Sequence, residues 1–114
     1  MDVPFITDNV YDLEAVKCPC GLARRGLKRP ENDVATLHLT EISEDAREHY
    51  HKNMCEIYFV LEGEGEIVLN GERHPVKPGS TVLINAGTRH KAVGKLKVIV
   101  VVIPPFDPQD EFFD

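Results

Sequence analysis

Alternating apolar and polar positions from residue 33 onward predict a series of short β-strands. The segment DVATLHLT places Val34, Thr36 and His38 opposite Ala35, Leu37 and Leu39, the period of two expected of a strand with two different faces. Further β-rich runs are CEIYFVLEG, EIVLN, STVLI and KLKVIVVVI. Turn signals separate these runs, among them Asn70-Gly71, which is typical of a tight type I′ hairpin. This pattern predicts an all-β sandwich or barrel.

The two ends of the chain do not follow the alternation. Residues 1–32 are predicted to be an irregular arm that packs on the β-domain, residues 33–104 to be the β-domain itself, and residues 105–114 to be a C-terminal tail. The basic cluster in the arm is predicted to be solvated surface, with the binding of a phosphate or carboxylate by one of its arginines as the alternative; it consists of Arg24, Arg25, Lys28 and Arg29. The tail is predicted to pack Phe106 and Phe112 onto the body or onto a second subunit.

Length, composition and charge narrow the class of protein. The chain has 114 residues, which suits one domain. A net charge of −6 argues against nucleic acid and anionic membranes as partners. The N-terminal residues do not resemble a signal peptide, and no run approaches the roughly 18 apolar residues of a membrane span. We therefore expect a soluble cytoplasmic protein with a small-molecule ligand or substrate.

Three cysteines, an odd number, favour a reducing compartment over a disulfide framework. Cys18 and Cys20 form the sequence C-P-C, with no second CxxC or His pair at the spacing of a zinc finger. They are predicted to be small thiols on a turn. Cys55 directly precedes Glu56, so on a strand the two side chains would point to opposite faces.

The segment REHYHKNMCE carries a pair of histidines, His49 and His51, and then Glu56. On a helix, residues two apart lie about 200° apart around the axis and could not share a ligand. On a strand they point the same way. The β-branched and aromatic residues that follow favour the strand, which places both imidazoles on one face.

Imidazole and carboxylate groups together suit divalent transition metals, and a complete site needs another ligand from elsewhere in the fold. His90 is the natural candidate because it follows the turn at 85–87. His74, next to Pro75 in the hairpin, is predicted to be exposed. For His38 the alternation leaves two positions open, one in the cavity and one on the opposite face.

The spacing of the histidine pair, the glutamate and the glycine after it resembles the first motif of the cupin superfamily, G-x5-H-x-H-x3-4-E-x6-G. His49, His51, Glu56 and Gly63 follow that spacing, with Ser43 in the place of the leading glycine. The departure concerns the turn before the histidines and leaves the ligand positions intact.

The second cupin motif, G-x5-P-x-G-x2-H-x3-N, is similar to the stretch from Gly79 to Gly94. Gly79, Gly87 and His90 match it, while Asn85 replaces the proline and Gly94 the final asparagine. Fifteen residues lie between Gly63 and Gly79, the short interval of small cupins. The resemblance covers residues 34–103.

The resemblance implies that residues 33–104 form a double-stranded β-helix, the jelly-roll barrel of cupins. It also implies a ligand set of His49, His51, Glu56 and His90 for one divalent ion (iron, manganese, nickel, zinc or cobalt) and a homodimer. An alternative is a metal-free cupin in which the same four side chains form a hydrogen-bonded polar cluster.

Cupins of this kind include enzymes and non-enzymes, so the fold does not choose the reaction. The resemblance leaves open a metal-dependent dioxygenase, an isomerase or lyase that acts through a metal-bound enediolate, and a non-catalytic module that binds or senses a small ligand around a structural metal. Tyr58, two residues beyond Glu56, is the candidate catalytic residue because strand parity directs it to the same side. The alternative is that its ring packs as core. Arg47 is expected at the exposed rim.

Overall fold

The computed structural model describes residues 3–44 and 46–114. Within these ranges the chain forms one short 3₁₀ helix, Val10–Asp12, and nine strands. The strands are β1 Val16–Cys18, β2 Gly21–Gly26, β3 Thr36–Ile42, β4 Cys55–Glu62, β5 Gly65–Leu69, β6 Glu72–Val76, β7 Thr81–Ile84, β8 His90–Gly94 and β9 Lys97–Ile103. The all-β prediction is confirmed.

The strands form two antiparallel sheets. The large sheet has the order β1-β2-β3-β9-β4-β7, and the small sheet has the order β6-β5-β8. Their inner faces enclose one apolar core to which both contribute, with Val60 and Val98 from the large sheet and Ile67 and Ala92 from the small one. No helix among the described residues is long and apolar enough to span a membrane.

Strand β4 shows how the alternation of the sequence divides the two faces of the large sheet. Glu56, Tyr58 and Val60 are buried on the inner face. Ile57 and Phe59 lie on the outer face, 39% and 40% exposed. On the neighbouring strands Leu83 and Ile103 are also exposed. The outer face therefore carries an exposed apolar surface, which we call the outer patch (Ile57, Phe59, Leu61, Leu83 and Ile103).

Two of the turn residues have a backbone that the sequence explains. Asn70 and Gly71 both have positive φ, 49° and 83°, as a type I′ hairpin requires, so the hairpin prediction is confirmed.

Gly63 has a φ of 91°, and a Cβ there would lie 2.0 Å from the carbonyl oxygen of Lys95. A side chain at this motif position would prevent the close approach of the two backbones.

The prediction that residues 1–32 form an irregular arm is wrong for 16–18 and 21–26, where β1 and β2 form the edge of the large sheet. Strand β2 pairs with β3 over six residues, from Gly21 opposite Ile42 to Gly26 opposite Leu37. Turn residues and the adjacent arginines hid this strand, because its stability comes from pairing with β3 rather than from its own apolar pattern.

The strand predicted through His49 and His51 is reduced to isolated bridges in the part of the chain that the structure describes. His49 pairs with His90, and Tyr50 pairs with Phe112. This segment is held by the start of β8 on one side and by the tail on the other. The backbone is extended enough to direct both imidazoles to one side, as predicted, without belonging to either sheet.

Candidate metal centre

The backbone brings the three histidines of the two motifs together. The amide of His49 donates to the carbonyl of His90 at 3.1 Å, and the amide of His90 donates to the carbonyl of His49 at 2.9 Å. The amide of Gly87, in the turn before β8, donates to the carbonyl of His51 at 2.6 Å. As a result one ring nitrogen from each of the three buried histidines lies within 4.8 Å of the others.

Two of the imidazoles are oriented by their outer nitrogens. Nδ1 of His49 lies 2.9 Å from the carbonyl oxygen of Arg47, and Nδ1 of His90 lies 2.8 Å from that of Thr88. A carbonyl oxygen can only accept, so each Nδ1 carries the hydrogen. In the neutral rings Nε2 is then left with its lone pair directed into the protein, the orientation found in metal-binding histidines.

Glu56, on the inner face of β4, completes the cluster from the large sheet. Its Oε1 lies 3.1 Å from Nε2 of His90 and 3.7 Å from Nδ1 of His51. Glu56 Oε1 and His90 Nε2 are both buried without a hydrogen-bond partner among the described residues. Two buried acceptors that face each other are unfavourable unless a proton or a cation lies between them. This pair fits a bound metal ion.

The electrostatics keep His49 and His51 neutral and the carboxylate of Glu56 charged. Burial, with a further contribution from His90, lowers the pKa of His49 to about 4. Burial also lowers the pKa of His51, against the attraction of Glu56. Burial opposes the charged form of Glu56, but the three histidines outweigh it and lower its pKa. Neutral imidazoles and an ionised carboxylate are the forms that bind a metal.

The structure thus brings together all four residues proposed as ligands, with Glu56 adjacent to His90 and His51. His74 is exposed, as predicted. For His38 the structure decides between the two open positions. It is 5% exposed and lines the cavity beside the histidine cluster, and its Nε2 lies 3.0 Å from Oγ1 of Thr36.

Tyr58 was predicted either to face the site or to pack its ring in the core, and the structure shows both. Its side chain is 4% exposed and belongs to the apolar core, yet it also lines the cavity. Its ring lies edge-on to that of His90, with 6.4 Å between the centroids. Burial and the charge of Glu56 raise the pKa of the phenol well above its usual value, so the hydroxyl keeps its proton.

For Arg25 the prediction of solvated surface is wrong, and the alternative of an arginine that could bind an anion stays open. Its side chain is half-buried and lines the cavity. The guanidinium lies over the ring of Phe106, 4.1 Å from the centroid, and its Nε is buried with no hydrogen-bond partner in the described ranges. The sequence did not identify Arg25 because its direction follows from the parity of β2, a strand the pattern did not indicate.

The C-terminal tail adds a carboxylate and an anchor to the site. Glu111 Oε1 lies 4.0 Å from Nε2 of His51, and burial raises the pKa of Glu111. The carboxylate of Asp110 accepts hydrogen bonds from three successive amides, those of Lys52, Asn53 and Met54, at 2.8, 3.0 and 2.8 Å. The tail therefore fixes the loop between His51 and Glu56.

These groups surround one narrow cavity of about 30 Å³. Its walls come from β1 to β4, β9, the histidine segment and the tail; they comprise Cys18, Cys20, Ala23, Arg25, His38, Thr40, His49, Glu56, Tyr58, Val100, Phe106 and Glu111. Apart from His49, Glu56 and Tyr58, the polar residues of this wall come from parts of the chain that lie outside both motifs.

Residues 37–104 match the family model of the Cupin_2 cupin domain, and the match contains all four candidate ligands. The chain belongs to the cupin family. The fold predicted from the two motifs is therefore confirmed. The match begins after β1 and β2, so it leaves Arg25, Cys18 and Cys20 outside the family model.

Among curated relatives, the cupin is 37% identical over 68 residues to L-ectoine synthase from Aliivibrio fischeri, a match that covers 58% of this chain and 53% of the enzyme. The chain spans about half the length of the curated relatives it matches. The likeness therefore concerns the cupin domain and not the whole enzyme.

Two solved structures extend the comparison to almost the whole chain. A protein from Planctomyces limnophilus has a TM-score of 0.90 and 38% identity, over 98% of each chain. Pac13 from Streptomyces, described as a nucleoside dehydratase, has a TM-score of 0.82 and 21% identity, over 95% of this chain and 89% of its own. At that identity Pac13 supports the fold alone.

Proposed function

We propose that this cupin is a metal-dependent lyase that eliminates water from a small oxygenated molecule with an anionic group. The observation that carries the proposal is the pair of buried acceptors, Glu56 Oε1 and His90 Nε2, 3.1 Å apart beside two further histidines that are neutral at physiological pH. His49, His51, Glu56 and His90 would hold one ion of iron, manganese, nickel, zinc or cobalt. A bound ion would polarise a substrate oxygen as a Lewis acid.

Arg25 supports an anionic group in the substrate. Its guanidinium is held in the cavity wall by Phe106, and its buried Nε has an unused hydrogen. A carboxylate is the group that best fits the planar donors of arginine. A carboxylate bound there would present the rest of a short molecule to His49 and Glu56, which line the same cavity.

Elimination of water needs one group that removes a proton from carbon and another that protonates the departing hydroxyl. Glu111 supports the first role because burial raises its pKa and so makes the carboxylate a stronger base. Tyr58 supports the second role because its phenol stays protonated in the cavity wall. The C–H and C–O bonds break, a double bond forms between the two carbons, and water leaves.

The comparisons favour elimination over the dioxygenase that the family resemblance also allows. Pac13 carries out a dehydration on the same fold, as its description says. Neither it nor the L-ectoine synthase is named for oxygen chemistry. The dioxygenase stays a prediction.

The proposal is tested by metal content and turnover together. Protein purified without added metal is analysed for metal per chain, stripped with a chelator and reloaded separately with each of the five ions. Each form is assayed with short β-hydroxy carboxylates, and loss of water is followed by NMR. We expect turnover with at least one ion, its loss in Arg25→Met and its retention in the exposed control His74→Ala. Turnover by the stripped protein, or none with any ion, would contradict the proposal.

The narrowness of the cavity supports one alternative, a non-catalytic cupin with a structural metal. About 30 Å³ holds on the order of two water molecules, so a larger substrate requires movement of Phe106 or Glu111 in the wall. In the alternative, reloading the metal raises the melting temperature but restores neither turnover nor binding of any carboxylate.

A further inference from the structure

Two cysteines in the cavity wall have no part in the proposed function. Cys18 ends β1, Cys20 precedes β2, and both side chains line the cavity that also contains Arg25 and His49. Both are free thiols and half-buried. A pair of thiols in one wall differs from an isolated buried cysteine, because the two can be joined as a disulfide when an oxidant accepts two electrons.

The turn between the two strands places the thiols together. Cys18 pairs with Gly21 across a two-residue connection, Pro19-Cys20. The ring of Pro19 restricts the backbone of the turn, so little freedom is lost when the neighbouring side chains meet. A disulfide needs Cα atoms about 4.4–6.8 Å apart, a separation that residues two apart in a tight turn can reach.

The two thiols already interact. Interaction with the Cys20 thiol lowers the pKa of Cys18 to about 7 against the opposing effect of burial, with help from the charge of Arg25. The same interaction raises the pKa of Cys20. At neutral pH a substantial fraction of Cys18 is therefore thiolate while Cys20 keeps its proton, as in a reactive dithiol.

We propose that Cys18 and Cys20 are a redox-active dithiol that closes to an intramolecular disulfide in the wall of the cavity. The co-reactant is a low-molecular-weight disulfide of the glutathione class. The Cys18 thiolate attacks one of its sulfurs, a mixed disulfide forms, and one thiolate leaves. Cys20 then loses its proton to solvent and attacks the sulfur of Cys18, which expels the second thiolate. Cys18 and Cys20 lose two electrons, and the small disulfide becomes two thiols.

This inference does not rest on the proposed lyase, since it requires neither a metal nor a substrate. It changes the cavity nonetheless, because the disulfide removes a negative charge near Arg25. Cys55 provides an internal comparison. It lies on β4 next to Glu56, with its side chain on the opposite face of the large sheet and outside the cavity wall.

The test uses the full chain and oxidised glutathione as the probe. After oxidation the protein is alkylated with N-ethylmaleimide, and its intact mass is measured. We expect one alkylated cysteine instead of three, a loss of two hydrogens, and full reversal by dithiothreitol. Peptide mapping should place the link between Cys18 and Cys20. Three alkylated cysteines after oxidation, or a link between two chains, would overturn the proposal.

Single variants separate the steps. Cys20→Ser cannot close the disulfide, so it should accumulate a mixed disulfide at Cys18, whereas Cys55→Ser should form the intramolecular link as the unmodified chain does. At pH 7 the alkylation of Cys18 should be fast, because a substantial fraction of this cysteine is thiolate. If Cys20→Ser takes up glutathione at Cys55 instead, the assignment is wrong. Circular dichroism checks that each variant is folded.

Discussion

Oε1 of Glu56 lies 3.1 Å from Nε2 of His90, and both atoms are buried acceptors without a hydrogen-bond partner in the described part of the chain. The two atoms come from different sheets, β4 of the large one and β8 of the small one. Each sheet therefore directs an unsatisfied lone pair at the other.

Glu56→Gln should stabilise the metal-free protein while it weakens metal binding. The glutamine amide can donate a hydrogen bond to His90 Nε2, which satisfies a buried acceptor that otherwise lacks a partner and contributes about 1 kcal/mol. It also removes the charge that attracts a cation. Thermal melts in chelator and isothermal titration with each metal measure the two effects. If the variant is less stable without metal, Glu56 and His90 share a proton, as in the metal-free polar cluster.

His51→Ala should lower the metal bound per chain several-fold or more, because one of three converging imidazoles is lost. Elemental analysis of protein prepared in parallel with His74→Ala gives the comparison, since His74 is an exposed histidine far from the cluster in sequence. Unchanged occupancy in His51→Ala would remove His51 from the ligand set.

Tyr58→Phe should leave metal occupancy intact and lower turnover about 100-fold, the usual cost of losing a positioned proton donor. The ring remains in the core, so the fold is unaffected. Metal content and kcat are measured on the same preparation. A loss of metal would show instead that the hydroxyl belongs to the ligand set.

Asp110→Asn should destabilise the protein by about 1–3 kcal/mol at neutral pH, because the amide cannot accept all three backbone hydrogen bonds. Burial opposes the charge of Asp110, but the three amides outweigh it and lower its pKa in the folded state. A lowered pKa contributes stability above the unfolded value of about 3.9, and this contribution is lost as the pH falls through the folded value. The difference in the free energy of unfolding between variant and parent, measured with urea, should therefore become smaller in acid. A constant difference would contradict the role of the charge.

The homodimer implied by the family stays a prediction. The outer patch is a candidate for its interface. We propose that a second copy of the chain covers this face, since an antiparallel sheet with apolar residues on both faces is usually covered on both. Phe59→Glu should then shift the dissociation constant tenfold or more towards monomer in light scattering. Phe5→Glu, at a phenylalanine that is 75% exposed elsewhere on the chain, is the control. A monomeric parent protein would contradict the proposal.

The features of the fold that depend on local sequence signals were predictable. The alternation in β4 and the Asn70-Gly71 turn predicted a β-protein, and the spacing within the two motifs predicted that His51 and His90 belong to one site. Each of these signals is local, or is a spacing between local signals. The physical requirement behind Gly63, a close approach to Lys95, became visible only in the structure.

The rest of the site depends on how distant segments pair with each other. A single sequence does not show this pairing or its register. Arg25 is directed into the cavity because β2 pairs with β3 in one particular register, and a shift of one residue would direct it outward. Glu111 reaches His51 because the tail bridges to Tyr50. Neither position shows a motif, so both followed only from the fold.

Because Glu56 belongs to the large sheet and His90 to the small one, a bound ion would join the two sheets across the core. Any substitution in that core that shifts one sheet against the other would then alter the distances between the ligands. Metal affinity would respond to changes in packing at residues that touch no ligand, and the ion would in turn resist separation of the sheets. Stability and metal affinity would vary together through the whole β-domain.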